Sequence, residues 1–149
     1  MGGMVASSQT YATEAGVRIL EQGGNAADAA VAVAAALNVT EPCMTGLGGD
    51  AFCLFYNAAE GTVRGLNASG RAPSGLSVAS LLSEGVIAVE GDELPLFSPH
   101  TITVPGAVSS WTETVKAFGG GEVSLSDVLQ PAIALAEGGF PLGPVSAVG

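Results

Sequence analysis

The chain has 149 residues, the size of one ordinary domain, and 48% of them are hydrophobic whereas 12% are charged. This composition excludes a disordered chain, which would be poor in apolar residues and rich in charge. Four lysines and arginines stand against fourteen aspartates and glutamates, for a formal net charge of -10. The shortage of positive charge argues against nucleic acid, and against an anionic membrane surface, as partners.

No segment predicts a membrane span. The longest uninterrupted apolar run, Ala29 to Leu37, has nine residues, about half of the roughly 20 that a spanning helix needs. No secretion signal is readable at the start of the sequence, so we expect a soluble protein and favour a cytoplasmic location. Cys43 and Cys53 lack the spacing of a disulfide scaffold or a metal site, and we expect two buried, reduced thiols.

The first third of the chain predicts a strand and two helices. Met4 to Ser8 is a short apolar run typical of a strand. Apolar residues at helical spacing predict a first helix over Thr10 to Leu20, which ends at the Gly23-Gly24 pair. Asn25 is a good N-cap for a second helix, Ala26 to about Leu37. This helix is apolar nearly all round, as in a helix buried between other layers.

Two strands follow this buried helix. Ala51 to Tyr56 is too apolar for a strand with one exposed face, and Thr62 to Asn67 returns along it. The five-residue connection, Asn57 to Gly61, contains glycine, so the pair predicts a β-hairpin and a partly antiparallel sheet. Helices and an antiparallel pair together indicate the α+β class.

The second half predicts further helices around an irregular segment. Val78 to Leu82 has room for one or two helical turns, and Glu84 to His100 is irregular and exposed because of its glycine, acidic residues and prolines. Pro105 opens a helix that runs to Phe118. A last helix starts near Ser124 with a capping box, and Pro131 inside it should kink it or move its start later.

The common catalytic and metal-binding motifs are absent from the sequence. Gly46 to Ala51 matches the G-x-G-x-x-A dinucleotide fingerprint, but it follows a helix and opens a strand, so a structural turn is the better interpretation. The single histidine, His100, has no partner that the sequence identifies. No spacing suits zinc or calcium. We expect neither a cofactor nor a metal.

The four cations differ in their settings. Arg18 lies four residues after Glu14, Lys116 lies three residues from a glutamate on a helix, and Arg64 lies on the hairpin, so all three predict ordinary surface positions. Arg71 stands in Ser-Gly-Arg-Ala-Pro, where glycine frees the backbone before it and proline stiffens the backbone after it. This setting suits a guanidinium that binds a substrate carboxylate, although a structural ion pair or a solvated loop also fits.

Ordered blocks of the sequence resemble the N-terminal region of the γ-glutamyltranspeptidase (glutathione hydrolase) family. They cover essentially the whole chain. The blocks are Gly3-Met4-Val5-Ala6-Ser7, Ala15-Gly16 with Ile19-Leu20, Gly23 to Ala30, Glu41-Pro42 followed by Gly46-Leu47-Gly48-Gly49, Val104 to Ala107, Leu129 to Ile133, Ala136-Glu137 and Gly139-Phe140.

The resemblance implies part of a four-layer αββα N-terminal-nucleophile hydrolase fold, with residues 1–149 as the N-terminal fragment of the large subunit. Proenzymes of this family cleave themselves into two subunits and transfer a γ-glutamyl group from a substrate such as glutathione to water, an amino acid or a peptide. The threonine nucleophile then lies outside this chain, which holds no catalytic residue. The implied partners are the γ-glutamyl substrate, the remainder of the large subunit and the small subunit.

One binding residue is carried over from the resemblance. Many members bind the substrate α-carboxylate with the arginine of an R-E-x-A-P block, whereas this chain has Ser69-Gly70-Arg71-Ala72-Pro73, with the arginine two positions later. This form is similar to a divergent branch that includes cephalosporin acylases. Arg71 is therefore the expected substrate-binding residue. The alternatives are a glutaryl- or cephalosporin-type acylase of the same fold, and a noncatalytic binding module.

Overall fold

A computed structural model describes residues 2–143. The described part is α+β, with five α-helices, one short 3-10 helix and a two-stranded sheet. In chain order the elements are α1 (Thr10–Glu21), α2 (Ala26–Thr40), β1 (Ala51–Asn57), β2 (Thr62–Ala68), α3 (Val78–Ser83), the 3-10 helix (Pro99–Thr101), α4 (Ala107–Phe118) and α5 (Leu125–Gly138).

Small residues let α1 and α2 approach closely. A Cβ at Gly16 of α1 would lie 2.7 Å from Val33 Cγ2 and 2.8 Å from Val5 Cγ1, so glycine is required at this crossing. Gly23, in the turn between the two helices, has a φ of 96°, which L side chains rarely adopt. The apolar core lies where α1, α2, α4 and α5 meet. Its buried members are Ala12, Ala15, Ile19, Val31, Ala32, Ala35, Ala36, Trp111, Val123, Val128 and Ala132.

The start of α2 also holds the end of α4. The Asn25 side chain caps α2 by accepting from the N–H groups of Ala27 and Asp28, and its Nδ2 donates to the Phe118 carbonyl at 2.7 Å. The carboxylate of Asp28 is fully buried and accepts from the N–H groups of Asn25 and Gly120, each at 2.9 Å. Hydrogen bonds from Asn25 and Asp28 thus join the start of α2 to the end of α4.

The hairpin places its two faces in different surroundings. β1 and β2 are antiparallel, with Leu54 opposite Gly65 and Phe55 opposite Arg64. On one face Phe55 stacks on Phe118 of α4, with ring centroids 5.1 Å apart, and the Arg64 guanidinium lies 5.0 Å from the centre of the Phe118 ring. The other face is open in the described part of the chain. Its exposed apolar side chains are Phe52, Leu54, Tyr56 and Val63.

The structure confirms the main helices and the hairpin and corrects three local predictions. Met4 to Ser8 forms no strand, because a strand needs a hydrogen-bonded neighbour and residues 2–143 supply none. The second helix continues to Thr40, three residues further than predicted. Pro131 lies inside α5 without moving its start, since the capping box of Ser124 and Asp127 fixes that start at Leu125.

The expectation that both thiols are buried is also wrong. Cys43 is exposed and Cys53 is half-buried, although both thiols are free as expected. Arg18 lies on the surface as expected, and it forms no ion pair with Glu14 within 4 Å, because two exposed side chains gain little from holding one geometry. The pair of Lys116 with Glu113 does form, at 3.5 Å. Within residues 2–143 no helix has the length and apolar character needed to cross a membrane.

Candidate functional site

Four separate segments meet at the N-terminus of α4. The Gly49 carbonyl accepts from the N–H of Gly106 at 3.0 Å and of Ala107 at 2.9 Å, so the glycine-rich loop caps this helix. The N–H of Val104 donates to the Arg71 carbonyl at 3.1 Å. The loop before β1, the loop after β2, the segment before α4 and α4 itself are therefore tied together by their backbones.

Asp50 adds a side-chain bond that joins two loops of this junction. Its Oδ1 accepts from the Gly70 N–H at 2.6 Å, across twenty residues of sequence. Since Asp50 follows the glycine-rich loop and Gly70 precedes Arg71, this bond sets the distance between two loops.

Two glycines at the junction have no space for a side chain. A Cβ at Gly106 would lie 2.0 Å from the Ala68 carbonyl oxygen, and a Cβ at Gly70 would lie 2.1 Å from the Val104 carbonyl oxygen. Neither glycine has a positive φ. Steric exclusion by neighbouring backbone, rather than an unusual conformation, therefore makes glycine necessary at both positions.

A shallow cavity of about 240 Å³ opens beside this junction. Arg71 is exposed at the cavity, and no carboxylate among residues 2–143 lies within 4 Å of its guanidinium. An arginine on a backbone held by hydrogen bonds, next to a cavity and with a free planar fork, can bind a carboxylate with two hydrogen bonds. The lining residues are Ala68, Ser69, Gly70, Arg71, Val104, Pro105, Gly106 and Ser109.

The other cations have different surroundings. Arg64, expected on an ordinary surface position, lies over the Phe118 ring, and Lys116 pairs with Glu113. Arg18 is exposed on α1 and, in the described part of the chain, has no acidic partner within 4 Å. Arg18 and Arg71 thus both lack an acidic partner in the described residues. Arg71 differs because it lies at a cavity, on a backbone that is held by hydrogen bonds.

The remaining candidate residues of the sequence form no catalytic cluster. Residues 46–49 form a turn, closed by the Gly49 N–H donating to the Gly46 carbonyl, as the sequence predicts. His100 Nε2 lies 3.4 Å from a carboxylate oxygen of Glu84. Within residues 2–143 the His100 ring forms no hydrogen bond with a hydroxyl or thiol group. Across the same residues no group of three or more histidine, cysteine, aspartate or glutamate side chains could hold a metal ion.

The Glu41 carboxylate, at the end of α2, forms hydrogen bonds with the residues before α1. Glu41 accepts from Gln9 Nε2 at 2.9 Å and from the Ser8 hydroxyl at 2.7 Å. These hydrogen bonds, that from Gln9 above all, hold the pKa of Glu41 below its usual value because they favour the charged form. The segment between α2 and β1 is thereby fastened to the start of α1.

Sequence reasoning selects Arg71 as a candidate, which stays a prediction, and it misses Asp50 and the steric need for glycine at positions 70 and 106. The only signals were an acidic residue directly after a glycine-rich loop and a glycine following Pro105. Neither indicates a contact across twenty or more residues, which arises when the hairpin closes and α4 packs beside it.

Comparison with known proteins defines the class of protein. The family model described as Gamma-glutamyltranspeptidase matches residues 12–148. The glutathione hydrolase-like YwrD proenzyme of Bacillus subtilis (strain 168) is 43% identical over 139 residues, which cover 93% of this chain and 25% of that protein. The chain thus spans about a quarter of this curated relative. The chain belongs to the γ-glutamyltranspeptidase family.

Solved structures agree with this assignment. The cephalosporin acylase from Bacillus halodurans superposes with a TM-score of 0.83 at 42% identity, over 95% of this chain and 25% of that one. The γ-glutamyltranspeptidase of Helicobacter pylori gives a TM-score of 0.82 at 32% identity, over 98% of this chain and 40% of that one. The α+β fold is accordingly that of N-terminal-nucleophile hydrolases of this family.

Proposed function

We propose that the chain is the N-terminal part of a glutathione hydrolase/γ-glutamyltransferase-like proenzyme, with residues 1–149 in the large subunit. The enzyme cleaves a γ-glutamyl amide bond and transfers the γ-glutamyl group to water, an amino acid or a peptide. The nucleophile is a threonine outside this chain. Arg71 binds the substrate α-carboxylate.

The reaction is an acyl transfer in two steps. The threonine hydroxyl attacks the γ-carbonyl carbon, its proton passes to the threonine's own amino group, and the amide C–N bond breaks to release the amine with that proton. Water or an amine then attacks the resulting ester and regenerates the hydroxyl. In this scheme Arg71 takes no part in bond breaking; it holds the substrate so that the γ-carbonyl reaches the nucleophile.

The observation that supports this role is the setting of Arg71. Its guanidinium is exposed at a cavity, has no acidic partner among residues 2–143, and rises from a backbone tied to Val104 and, through Gly70, to Asp50. Membership of this family implies a γ-glutamyl substrate, whose α-carboxylate is a ligand for the Arg71 guanidinium. A structural ion pair, the competing interpretation of this arginine, has no partner in the described part of the chain.

The test compares two substrates in the full-length, processed enzyme. γ-Glutamyl-p-nitroanilide carries the α-carboxylate, and 4-aminobutyryl-p-nitroanilide lacks it but keeps the amine. We expect Arg71→Ala to lower kcat/KM for the first substrate about 30- to 150-fold, equivalent to about 2–3 kcal/mol, and to leave the second nearly unchanged.

Arg18→Ala is the matched control, since it removes an exposed arginine that has no acidic partner in the described residues and does not line the cavity. Its kinetics should equal those of the wild type. Equal losses on both substrates in Arg71→Ala, or no loss on either, would remove Arg71 from the carboxylate site.

The second candidate is an acylase that accepts glutaryl or other N-acyl groups. The similarity to the Bacillus halodurans cephalosporin acylase, at 42% identity, favours it. Glutaryl-p-nitroanilide keeps the carboxylate but lacks the α-amine, so comparing it with γ-glutamyl-p-nitroanilide separates the two activities. A kcat/KM at least tenfold higher for the glutaryl substrate would replace the main proposal with the acylase.

The proposal includes partners and a compartment. The open hairpin face, which exposes four apolar side chains, supports contact with the remainder of the large subunit and with the small subunit. Copurification of both subunits after self-cleavage tests that contact. The proposal also places the enzyme in the cytoplasm, and cell fractionation with an antibody against the full-length protein tests this location.

A further inference from the structure

The backbone on both sides of the Arg71 Cα is held by a hydrogen bond. Before it, the Gly70 N–H donates to Asp50 Oδ1 at 2.6 Å; after it, the Arg71 carbonyl accepts from the Val104 N–H at 3.1 Å. The second bond joins two backbones, so no side-chain substitution removes it directly. The first depends on the side chain of Asp50 alone.

Gly70 is closely surrounded by other atoms, which limits how far its backbone can move. The space that its side chain would occupy is filled, with the Val104 carbonyl oxygen at 2.1 Å and Thr103 Oγ1 at 2.5 Å from a Cβ position. Asp50 itself is anchored, because the residue before it, Gly49, caps α4 through its carbonyl. The position of Arg71 therefore depends on the glycine-rich loop, although that loop does not line its cavity.

Asp50 does not neutralise Arg71. In the described part of the chain no carboxylate oxygen lies within 4 Å of the Arg71 guanidinium, so the charge of the arginine is available for a ligand. The carboxylate of Asp50 instead faces a neutral backbone donor. This arrangement fixes the backbone of the arginine while leaving its side chain unpaired.

We propose that Asp50 is the positioning residue for the Arg71 carboxylate site: by accepting from the Gly70 N–H it fixes the backbone from which Arg71 reaches the α-carboxylate of the substrate. This inference rests on the proposed function. A binding group must be held within about 0.5 Å of its productive geometry, so a bond outside the substrate-binding cavity affects substrate affinity.

The test uses Asp50→Ala and Asp50→Asn in the full-length, processed enzyme. With γ-glutamyl-p-nitroanilide we expect Asp50→Ala to raise KM about tenfold while kcat stays within twofold, because binding is impaired and the nucleophile is not touched. Asp50→Asn keeps an oxygen acceptor and should stay within threefold of the wild-type KM. With 4-aminobutyryl-p-nitroanilide, which lacks the carboxylate, both variants should match the wild type.

A double variant tests whether the effect acts through Arg71. If Asp50 works only by placing the arginine, Asp50→Ala should add no further loss to Arg71→Ala. The matched control is Asp92→Ala, since Asp92 also accepts from backbone N–H groups in an exposed loop, those of Ala88 and Val89, but far along the chain. Its KM for both substrates should be unchanged.

Hydrogen exchange separates this inference from the proposed function. The Gly70 amide should exchange faster in Asp50→Ala than in the wild type and in Asp50→Asn. Unchanged exchange, equal losses on both substrates, or full additivity with Arg71→Ala would overturn the role of Asp50 alone. A wild-type enzyme that does not prefer the carboxylate-bearing substrate would instead overturn the proposed function, and with it the purpose assigned to Asp50.

Discussion

Asp28 and Gly120 are 92 residues apart in the sequence, yet the buried Asp28 carboxylate accepts from the Gly120 N–H at 2.9 Å. The same Oδ2 accepts from the Asn25 N–H, and Oδ1 is buried without a hydrogen-bond partner in the described residues. One side chain therefore closes the start of α2 and fixes the segment that follows α4.

We expect Asp28→Ala to lower the free energy of unfolding by about 2–4 kcal/mol, because it removes a buried carboxylate that accepts from the N–H groups of Asn25 and Gly120 and removes part of a helix cap. Denaturation of the full-length protein measures the change. Asp127→Ala is the control: it breaks the same type of capping box at α5, but at an exposed position, and should cost less. Equal losses in the two variants would contradict the role assigned to burial.

Glu41 gives a prediction about pH. Its pKa is lowered in the folded protein by hydrogen bonds from Gln9 and Ser8, so its ionised form is favoured by folding. The resulting stabilisation is fully present above the ordinary value of 4.5 and is lost as the pH falls through the lower, folded pKa. Glu41→Gln should therefore melt below the wild type at pH 7, and the difference in Tm should shrink as the pH falls below 4.5.

The control for this experiment is the same pH series on Glu137→Gln, a substitution in the last turn of α5, where no hydrogen bond to the carboxylate is present in the described residues. The difference in Tm between Glu137→Gln and the wild type should not shrink as the pH falls. A Glu41→Gln difference that stays constant from pH 7 to pH 3 would contradict the linkage.

Gly106 provides a steric test of the junction. Gly106→Ala places a methyl group 2.0 Å from the Ala68 carbonyl oxygen, so the end of β2 or the start of α4 must move. We expect a loss of about 2–4 kcal/mol and a higher KM for carboxylate-bearing substrates, since Arg71 follows β2. Gly75→Ala, where no atom lies within 4 Å of the added carbon, should behave like the wild type in the same melting and kinetic assays.

The open face of the hairpin predicts how the 149-residue chain behaves alone. Leu54 is 83% exposed and Phe52 is 70% exposed, on a sheet with only two strands in the described part of the chain. Expressed by itself, the chain should be partly unfolded or should aggregate. Light scattering and thermal melting measure this, and a sharp two-state melt of a monomer would contradict it.

Leu54→Lys should reduce aggregation of the isolated chain, because it interrupts the apolar face. In the full-length protein the same change should impair assembly, if the face is covered there. Leu96→Lys is the control, since Leu96 is 80% exposed in a loop. It should have little effect on either the isolated chain or the assembly.

The elements that the sequence predicts well are those with local signals. Asn25 and Ser124 mark helix starts through side chains that bond to N–H groups two or three residues away, and the structure confirms both. The hairpin follows from apolar runs and a short glycine-containing turn. The Met4 to Ser8 prediction is wrong because an apolar run specifies extended backbone but not the neighbour that would make it a strand.

The junction could be predicted only in part. Arg71 was selected by composition and by resemblance, whereas its setting depends on Asp50, Gly70 and Gly106, which come together through tertiary packing. Likewise Arg64, which resembles an ordinary surface residue in the sequence, lies over Phe118, 54 positions further along the chain. Contacts of this kind follow from the path of the whole chain and have no local pattern.

Helix α4 is fastened at both ends by other segments: by the Gly49 carbonyl at its start and by Asn25 and Asp28 at its finish. Its twelve residues span about 18 Å, so the two ends that other segments hold lie that far apart. A mutational scan for catalytic activity should consequently find sensitive positions at two places in the structure, one at each end of α4. One surrounds the cavity, and the other lies a full helix length away.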